Sequence, residues 1–241
     1  MRILITNDDS VSAEQLIPLV QYCCKLGEIT VAVPKYEQSA KSHGINIHHP
    51  FEVKKELLDN EIPIYVVDST PADCVRFAVL GLELKFDLVI SGINRGFNMG
   101  TDMLYSGTVS AVREAGILGI PAIALSTSPE YYDKAIAHLD IVFDYFKQNK
   151  LLDIHSLYNV NIPPESSEVK ITRQGGPYFS DSFKNVDGDM YAACGKCVYT
   201  KSDDLSIDTN AVMAGYISIA PITIDMTNKE IFEQLTKKPS H

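Results

Sequence analysis

The first half of the chain alternates between two patterns of apolar and polar residues. Short apolar runs bounded by turn formers are typical of buried strands, and apolar positions three and four apart are typical of helices. The predicted strands are residues 2–6, 29–33, 64–67, 87–91 and 122–126, and the predicted helices are residues 13–25, 71–80, 108–118 and one opening at residues 128–130. In this last helix Ile136, Leu139, Phe143 and Phe146 share one apolar face. This alternation predicts a doubly wound, mostly parallel α/β sheet.

Beyond about residue 149 the pattern changes to short β segments separated by Gly, Pro, Asp and Ser. The segments are residues 157–162, 169–172 and 216–219, and a closing helix is predicted over residues 229–235. Residues 175–208 show little periodicity, which fits a projecting hairpin, an oligomerisation arm or a mobile loop. We therefore predict a Rossmann-like core over residues 1–148 and a β-rich C-terminal extension with an oligomerisation arm over residues 149–241.

Composition places the chain among ordinary globular proteins. Of 241 residues, 45% are hydrophobic and 22% are charged. No apolar run approaches the roughly 18 residues that a membrane span needs. The first apolar stretch is very short and is followed at once by Asn7, Asp8 and Asp9, which is not the pattern of a signal peptide. We expect a cytoplasmic protein without a membrane partner.

The net charge of the chain limits which classes of partner it can bind. The formal charge is −10 and no block of basic residues is present in the sequence, so we expect no nucleic-acid polymer as a partner. A small anion remains compatible with the sequence. It would need a metal ion, backbone N–H groups or a helix terminus to offset the surrounding negative field.

Two adjacent carboxylates, Asp8 and Asp9, follow the first predicted strand. Together with Asn7 and Ser10 they offer oxygen ligands at the edge where a parallel sheet opens its crevice, which suggests a divalent cation. Neighbouring side chains of a strand point to opposite faces, so both can reach one ion only if the chain turns after Thr6. The alternative is that the pair caps the next helix.

Two further loops follow predicted strands on the same edge of the sheet. Residues 34–44 contain Ser39 and Lys41, and residues 91–100 contain Asn94 and Asn98 among several glycines. Glycine-rich backbone can approach a ligand closely because no Cβ intervenes. Ordinary turn loops would explain each segment separately, but their common location favours a joint site.

Ser106, Gly107 and Thr108 open a predicted helix. Unpaired N–H groups and a partial positive charge at a helix N-terminus suit a phosphate. N-capping alone would also explain the residues. A cation opposite a phosphate cradle is the arrangement for phosphoryl hydrolysis, because the cation polarises the phosphate and activates water.

Taken together, these motifs resemble the SurE (survival protein E) family of metal-dependent nucleoside monophosphate phosphatases. The resemblance rests on residues 7–9, Ser39, residues 70–75, 91–96 and 106–109, and it continues through residues 159–163 and 215–218. Joint occurrence of these motifs in this order is specific, and they extend over nearly the whole chain.

The resemblance implies a function and a set of site residues. One divalent ion, Mg²⁺ or Mn²⁺, would be held by Asp8, Asp9, Ser39 and Asn94, with Asp8, Asp9 and Asn94 catalytic. Asn98, Ser106, Gly107 and Thr108 would bind the substrate phosphate. The activity would release phosphate from nucleoside 5′- or 3′-monophosphates, and the protein would be a homodimer or homotetramer. Ser10 stands where the family usually has Gly, which predicts about 1 kcal/mol of strain if its φ is positive.

Two other protein classes are alternatives for the same acidic residues. A receiver-like signalling module also binds Mg²⁺ after its first strand, with Asp68 as phosphate acceptor, but the Lys expected after residues 122–126 is absent from the sequence. Enzymes that form an aspartyl phosphate space their two Asp one residue apart, which Asp8 and Asp9 do not fit.

Histidine and cysteine clusters add little to the predicted chemistry. For His43, His48 and His49 we expect solvated side chains rather than metal ligands, because the site is already rich in oxygen. The pair Cys194 and Cys197 suggests thiol redox chemistry or half a zinc site, but coincidence is favoured because no second pair follows.

Overall fold

The computed structural model describes residues 1–58, 61–165 and 168–237, so residues 166, 167 and 238–241 of the predicted C-terminal region lie outside the described residues. The strands are β1 (Arg2–Thr6), β2 (Glu28–Pro34), β3 (Val53–Leu58), β4 (Ile62–Val67), β5 (Leu88–Arg95), β6 (Ala122–Thr127), β7 (Leu157–Ile162), β8 (Val169–Ile171), β9 (Phe179–Ser180), β10 (Phe183–Asp187), β11 (Met190–Ala193), β12 (Lys196–Cys197) and β13 (Ile217–Pro221). The helices are α1 (Leu16–Cys23), α2 (Pro71–Arg76), α3 (Gly107–Ile117), α4 (Tyr132–Gln148), α5 (Leu151–Ile154), α6 (Asp208–Met213) and α7 (Lys229–Thr236).

Nine strands form one sheet in the order β3-β4-β2-β1-β5-β6-β7-β13-β8. Pairing is parallel from β4 across to β7, and it is antiparallel between β3 and β4 and between β7 and β13. The chain runs from β1 outward through β2 to β4 and then returns to β5 on the other side of β1. The switch point therefore lies between β1 and β5, where open α/β sheets bind their ligands.

Both faces of the sheet are covered by helices. Ile3 and Ile5 pack with residues of α1 and α4 on one face, whereas Leu4 packs with α2 and α3 on the other. This alternation follows from the two-residue period of a strand. Within the described ranges, no helix is long and apolar enough to cross a membrane.

The predicted elements of the first half are all present; β1 has its predicted ends, and the others are shifted at one end or both. The predicted helix of residues 13–25 is shorter, and that of residues 71–80 is α2 followed by a π-helical turn, Phe77–Gly81. The helix predicted to open at residues 128–130 begins at Tyr132, and its predicted apolar face does pack on the core. The exposed edge strand β3 was not predicted from the sequence.

The C-terminal part contributes both to the sheet and to a projecting arm. Strands β7, β13 and β8 follow the predicted domain boundary at residue 149 and extend the central sheet. The division of the chain into two regions at that residue stays a prediction. Residues 179–197 form a hairpin in which β10 pairs with β11 and β9 with β12. Of the three readings of residues 175–208, the structure shows the hairpin, followed by the unpredicted helix α6.

Candidate active site

The site lies at the carboxyl ends of β1 and β5. After Thr6 the chain turns sharply, because the Asn7 side-chain amide donates to the Ser10 carbonyl at 2.9 Å and Ser10 adopts a φ of 79°. The sequence predicted that Asp8 and Asp9 could reach one ion only if the chain turned after Thr6, and this turn is present. Ser10 does occupy the left-handed region that favours glycine.

Asp8 sits on the N-terminus of α3. Its side chain is buried and accepts hydrogen bonds from the Thr108 hydroxyl and from the backbone N–H groups of Gly107 and Thr108. Burial raises the pKa of Asp8, and the hydrogen bonds from Thr108 and Gly107 partly oppose that rise. Gly107 is required here because a Cβ at this position would lie 2.8 Å from the Asp8 Cβ. The helix terminus therefore fixes the carboxylate in place.

Asp9 is held from a different direction. Its Oδ2 accepts hydrogen bonds from Gln15 Nε2 at 2.8 Å and from the Arg95 backbone N–H at 3.0 Å. Burial and the charge of Asp8 raise the pKa of Asp9 to about 6. Gln15 also donates to the Ile93 carbonyl at 2.7 Å, so one buried amide links the Asp9 loop to β5.

Asn94 reaches the site because β5 is irregular near its end. The register between β5 and β6 shifts between Ser91 and Asn94. The Asn94 Nδ2 donates to the Gly96 carbonyl at 2.7 Å, and its Oδ1 lies 3.4 Å from the Thr108 hydroxyl oxygen. Asp8, Asn94 and Thr108 are thus brought together, with the Asn94 amide oxygen on the side of the carboxylates.

Ser39 belongs to a loop that is attached to the same region. The neighbouring Gln38 N–H donates to the Asp8 carbonyl at 2.8 Å, while the Ser39 hydroxyl donates to Glu37 at 2.5 Å. Further along, His43 pairs with the buried Glu114 of α3 at 2.8 Å. The expectation of a solvated His43 is therefore wrong, because its Nε2 is hydrogen-bonded to Glu114, a buried carboxylate that also pairs with Arg76 at 3.2 Å.

The residues predicted to bind the substrate phosphate lie in two different surroundings. Ser106 caps α3, since its Oγ accepts from the Val109 N–H at 3.1 Å, and it adjoins Gly107 and Thr108 beside Asp8. Asn98 instead lies in a buried cluster, where its Nδ2 donates to Ser126 at 2.9 Å and its carbonyl accepts from Asn159 and Asn161 at 2.7 and 2.9 Å. A phosphate role for both groups stays a prediction.

Several residues of this region were not predicted individually. Gln15 and Glu114 anchor the site without any local motif, so their contacts could not be read from the sequence. Asn159 and Asn161 did carry a signal, since residues two apart in a strand point to the same face. The Asn159 Oδ1 is buried and lacks a hydrogen-bond partner within the described residues.

The donor set fits a hard divalent cation. Both hydrogen bonds that Asp9 accepts from Gln15 and from the Arg95 N–H fall on Oδ2, so neither of them occupies Oδ1. Neither Asp8 nor Asp9 forms an ion pair with a basic side chain in the part of the chain that the structure describes. Two desolvated carboxylates without a cationic partner, beside an amide oxygen, match the ligands that Mg²⁺ or Mn²⁺ prefers.

Comparison with known proteins identifies the family of this chain. The family model described as Survival protein SurE matches residues 3–181, which is more than half of the chain. The chain belongs to the SurE family. Its relatives include the protein named 5′-nucleotidase SurE of Thermosipho melanesiensis, 37% identical over 250 residues that cover 99% of this chain and 97% of the relative. The protein of the same name from Pelotomaculum thermopropionicum is 42% identical over 253 residues, covering 98% and 95%.

A solved SurE structure extends the likeness to the whole fold. The crystal structure of the SurE protein from Aquifex aeolicus superposes with a TM-score of 0.78 at 30% sequence identity, and the match covers 98% of each chain. The C-terminal part of the present chain, beyond the family-model match, therefore also follows the architecture of a SurE protein.

Proposed function

We propose that this SurE protein is a 5′-nucleotidase that hydrolyses nucleoside 5′-monophosphates, and also 3′-monophosphates, to nucleoside and phosphate. The observation that carries the proposal is the pair Asp8 and Asp9 at the switch point of the sheet, with Asp8 bound by Thr108 at the N-terminus of α3 and Asn94 next to the same Thr108 hydroxyl. The relatives named 5′-nucleotidase SurE support the same activity.

The proposed cofactor is one divalent cation per subunit, Mg²⁺ or Mn²⁺, held by Asp8, Asp9, Ser39 and Asn94. When bound, such an ion polarises a phosphate oxygen and lowers the pKa of water. All four residues supply oxygen. The cation that they would hold brings the positive charge that a small anion needs in a chain of net charge −10.

The chain's own groups orient these ligands and the substrate. The Thr108 hydroxyl and the N–H groups of α3 hold Asp8 in one orientation, and Gln15 with the Arg95 N–H holds Asp9. Asn98, Ser106, Gly107 and Thr108 are the proposed phosphate-binding residues. Donors that are fixed before the reaction stabilise developing charge without reorganisation at the moment of transfer.

The receiver-like alternative finds no support in the structure. Asp68, the residue that would accept phosphate, directly follows β4 and accepts a hydrogen bond from Lys35 at 3.2 Å on the surface. In the sheet β4 is separated from β1 by β2, so Asp68 lies to one side of the acidic pair.

We further propose a homodimer or homotetramer that works in the cytoplasm. The hairpin arm exposes large apolar side chains at Phe183, Val186, Met190 and Tyr191. Exposed large apolar side chains on a projecting arm are typical of an interface between subunits.

Phosphate release from a panel of mononucleotides and simple phosphomonoesters tests the proposed function. The wild-type protein is expected to release phosphate from AMP with Mn²⁺ or Mg²⁺ and to lose the activity in EDTA. Asp8→Asn keeps an acceptor for Thr108 and the same volume, so it should fold normally while kcat falls by about three orders of magnitude. A fully active Asp8→Asn variant, or activity undiminished by EDTA, would refute the assignment.

A further inference from the structure

The loop that carries Ser39 is long and irregular. Residues 35–52, all of them described by the structure, connect β2 to β3 without forming a helix or a strand of their own. Ser39 itself is exposed in this loop. A long connection of this kind keeps one conformation only if contacts with the rest of the molecule offset the entropy of ordering it. The position of Ser39 therefore depends on what anchors the β2–β3 loop.

The anchors of the β2–β3 loop lie on both sides of Ser39. Before it, the Gln38 N–H donates to the Asp8 carbonyl at 2.8 Å. After it, the loop is bound to α2, to α3 and to the segment that precedes α3. Three of these later contacts involve backbone groups of the loop, and they join Ser42 to Tyr105 at 2.9 Å, Gly44 to Thr70 at 2.7 Å and Asn46 to Asp73 at 2.8 Å.

His43 adds a side-chain contact to a buried charge. Its Nε2 lies 2.8 Å from Oε2 of Glu114, while Nη1 of Arg76 lies 3.2 Å from Oε1. Burial acts to raise the pKa of Glu114, but the hydrogen bond and charge of His43, together with those of Arg76, outweigh it and lower that pKa. Because an ionised carboxylate can only accept hydrogen bonds, His43 Nε2 is the donor in this contact.

Glu114 belongs to the same helix that holds Asp8. The N–H groups of Gly107 and Thr108 bind the Asp8 carboxylate at the start of α3, and Glu114 follows Gly107 by seven positions, or about two turns. Residues seven apart lie on the same side of a helix. One rigid element thus fixes both Asp8 and, through His43, the loop that carries Ser39.

We propose that His43 is a positioning residue of the metal site: its hydrogen bond to Glu114 keeps the β2–β3 loop in the conformation in which Ser39 can serve as a ligand. The inference rests on the proposed function and deepens it. Ser39 is a neutral, exposed ligand, and it adds to metal affinity only if its place is fixed before the metal binds. His43 supplies that order without contacting the metal or the substrate.

The first test measures Mn²⁺ binding to the substrate-free protein by electron paramagnetic resonance of the free ion. His43→Ala should raise the Kd for Mn²⁺ about tenfold, at the lower end of the effect of residues that orient metal ligands. Water can then solvate Glu114, but it does not tie the loop to α3. His43→Gln can place an amide donor near the position of Nε2 and should bring the Kd back to within about twofold of the wild type.

His48→Ala is the matched control, because His48 is an exposed residue of the same loop. It should leave the Kd for Mn²⁺ unchanged. Circular dichroism and thermal unfolding check that each variant folds, and His43→Leu, which keeps the side-chain volume without a donor, replaces His43→Ala if that variant does not. A Kd in His43→Ala or His43→Leu equal to that of His48→Ala would overturn the proposal.

The second test asks whether His43 acts through Ser39. If it does, His43→Ala should change the Kd for Mn²⁺ by less than about twofold when Ser39→Ala is already present, since the ligand that His43 positions is gone. The loss of stability in urea should be the same in both backgrounds, so a merely structural role would not produce this non-additivity. A tenfold effect that persists in the Ser39→Ala background would contradict the assignment.

The outcomes separate this inference from the proposed function. A wild-type protein that binds Mn²⁺ and releases phosphate from AMP, with a His43→Ala variant that binds Mn²⁺ equally well, would overturn the role of His43 alone. A wild-type protein that neither binds Mn²⁺ nor releases phosphate would overturn both proposals.

Discussion

At the scale of single residues, Asp8 and Asp9 are adjacent in sequence but lie in different surroundings. Asp8 is fixed by a helix terminus, whereas Asp9 is fixed by a side-chain amide and one backbone N–H at the edge of a cavity. The pKa of each is raised, chiefly by burial. A cation that binds both would offset the cost of holding two carboxylates together.

The raised pKa of Asp9 predicts a pH dependence of stability in the metal-free protein. Its pKa rises from 3.8 to about 6 on folding, so the folded state binds the proton more tightly than the unfolded state. The resulting stabilisation is complete below pH 3.8 and is lost as the pH rises through about 6. Across that interval the contribution of Asp9 to the free energy of unfolding should fall by at most about 3 kcal/mol.

Urea unfolding in EDTA at a series of pH values measures this effect. The decline in the free energy of unfolding between about pH 4 and 6 should be smaller in Asp9→Asn than in the wild type. Saturating Mn²⁺ should stabilise the wild type most above pH 6, where Asp9 is ionised. The same slope in both proteins would contradict the raised pKa.

Ser10 offers a second test at this scale, because its φ of 79° is costly for any residue with a Cβ. Ser10→Gly and Ser10→Ala both remove the hydroxyl, which lies 2.9 Å from the Ser12 hydroxyl. They differ in the Cβ, so the glycine variant should be more stable than the alanine variant by about 1 kcal/mol. Thermal or urea unfolding of the two variants decides the order, and a more stable alanine variant would show that the turn is not strained.

At the scale of elements, the sequence predicts whatever depends on local periodicity. The buried strands and α4 were predictable because each has one clear apolar period. Strand β3 was not, because it is an edge strand whose exposed Lys54, Lys55 and Glu56 leave no alternation to detect. The hairpin arm was equally hard to predict, because β10 and β11 are exposed and show no apolar alternation. The sequence allowed a hairpin there only as one of three alternatives for residues 175–208.

The contacts between elements were less accessible from the sequence. The sequence identified Asp8 and Thr108 as candidate site residues, but they are 100 positions apart. Only the fold shows that the Thr108 hydroxyl donates a hydrogen bond to the Asp8 carboxylate. The anchoring of the Ser39 loop by His43 and Glu114 depends equally on packing of distant segments. Such contacts follow from tertiary structure, which local patterns do not specify.

At the scale of the whole molecule, the site is a consequence of topology. The reversal of strand order between β1 and β5 opens a crevice, and the chain carries Asp8 and Asp9 directly after β1 and Asn94 near the end of β5. The sequence predicted this arrangement because the alternation of strands and helices fixes which ends of the parallel strands meet. The pairing of β13 with β7 and β8 could not be predicted from the sequence, because their short apolar runs fit several pairings.

The central claim, that Asp8 and Asp9 hold one divalent cation with Ser39 and Asn94, is tested most directly by anomalous diffraction from crystals grown with Mn²⁺. We expect one strong anomalous peak per subunit between the two carboxylates, within about 2.3 Å of their nearest oxygens. A peak elsewhere, or none at this position in crystals saturated with Mn²⁺, would contradict the account.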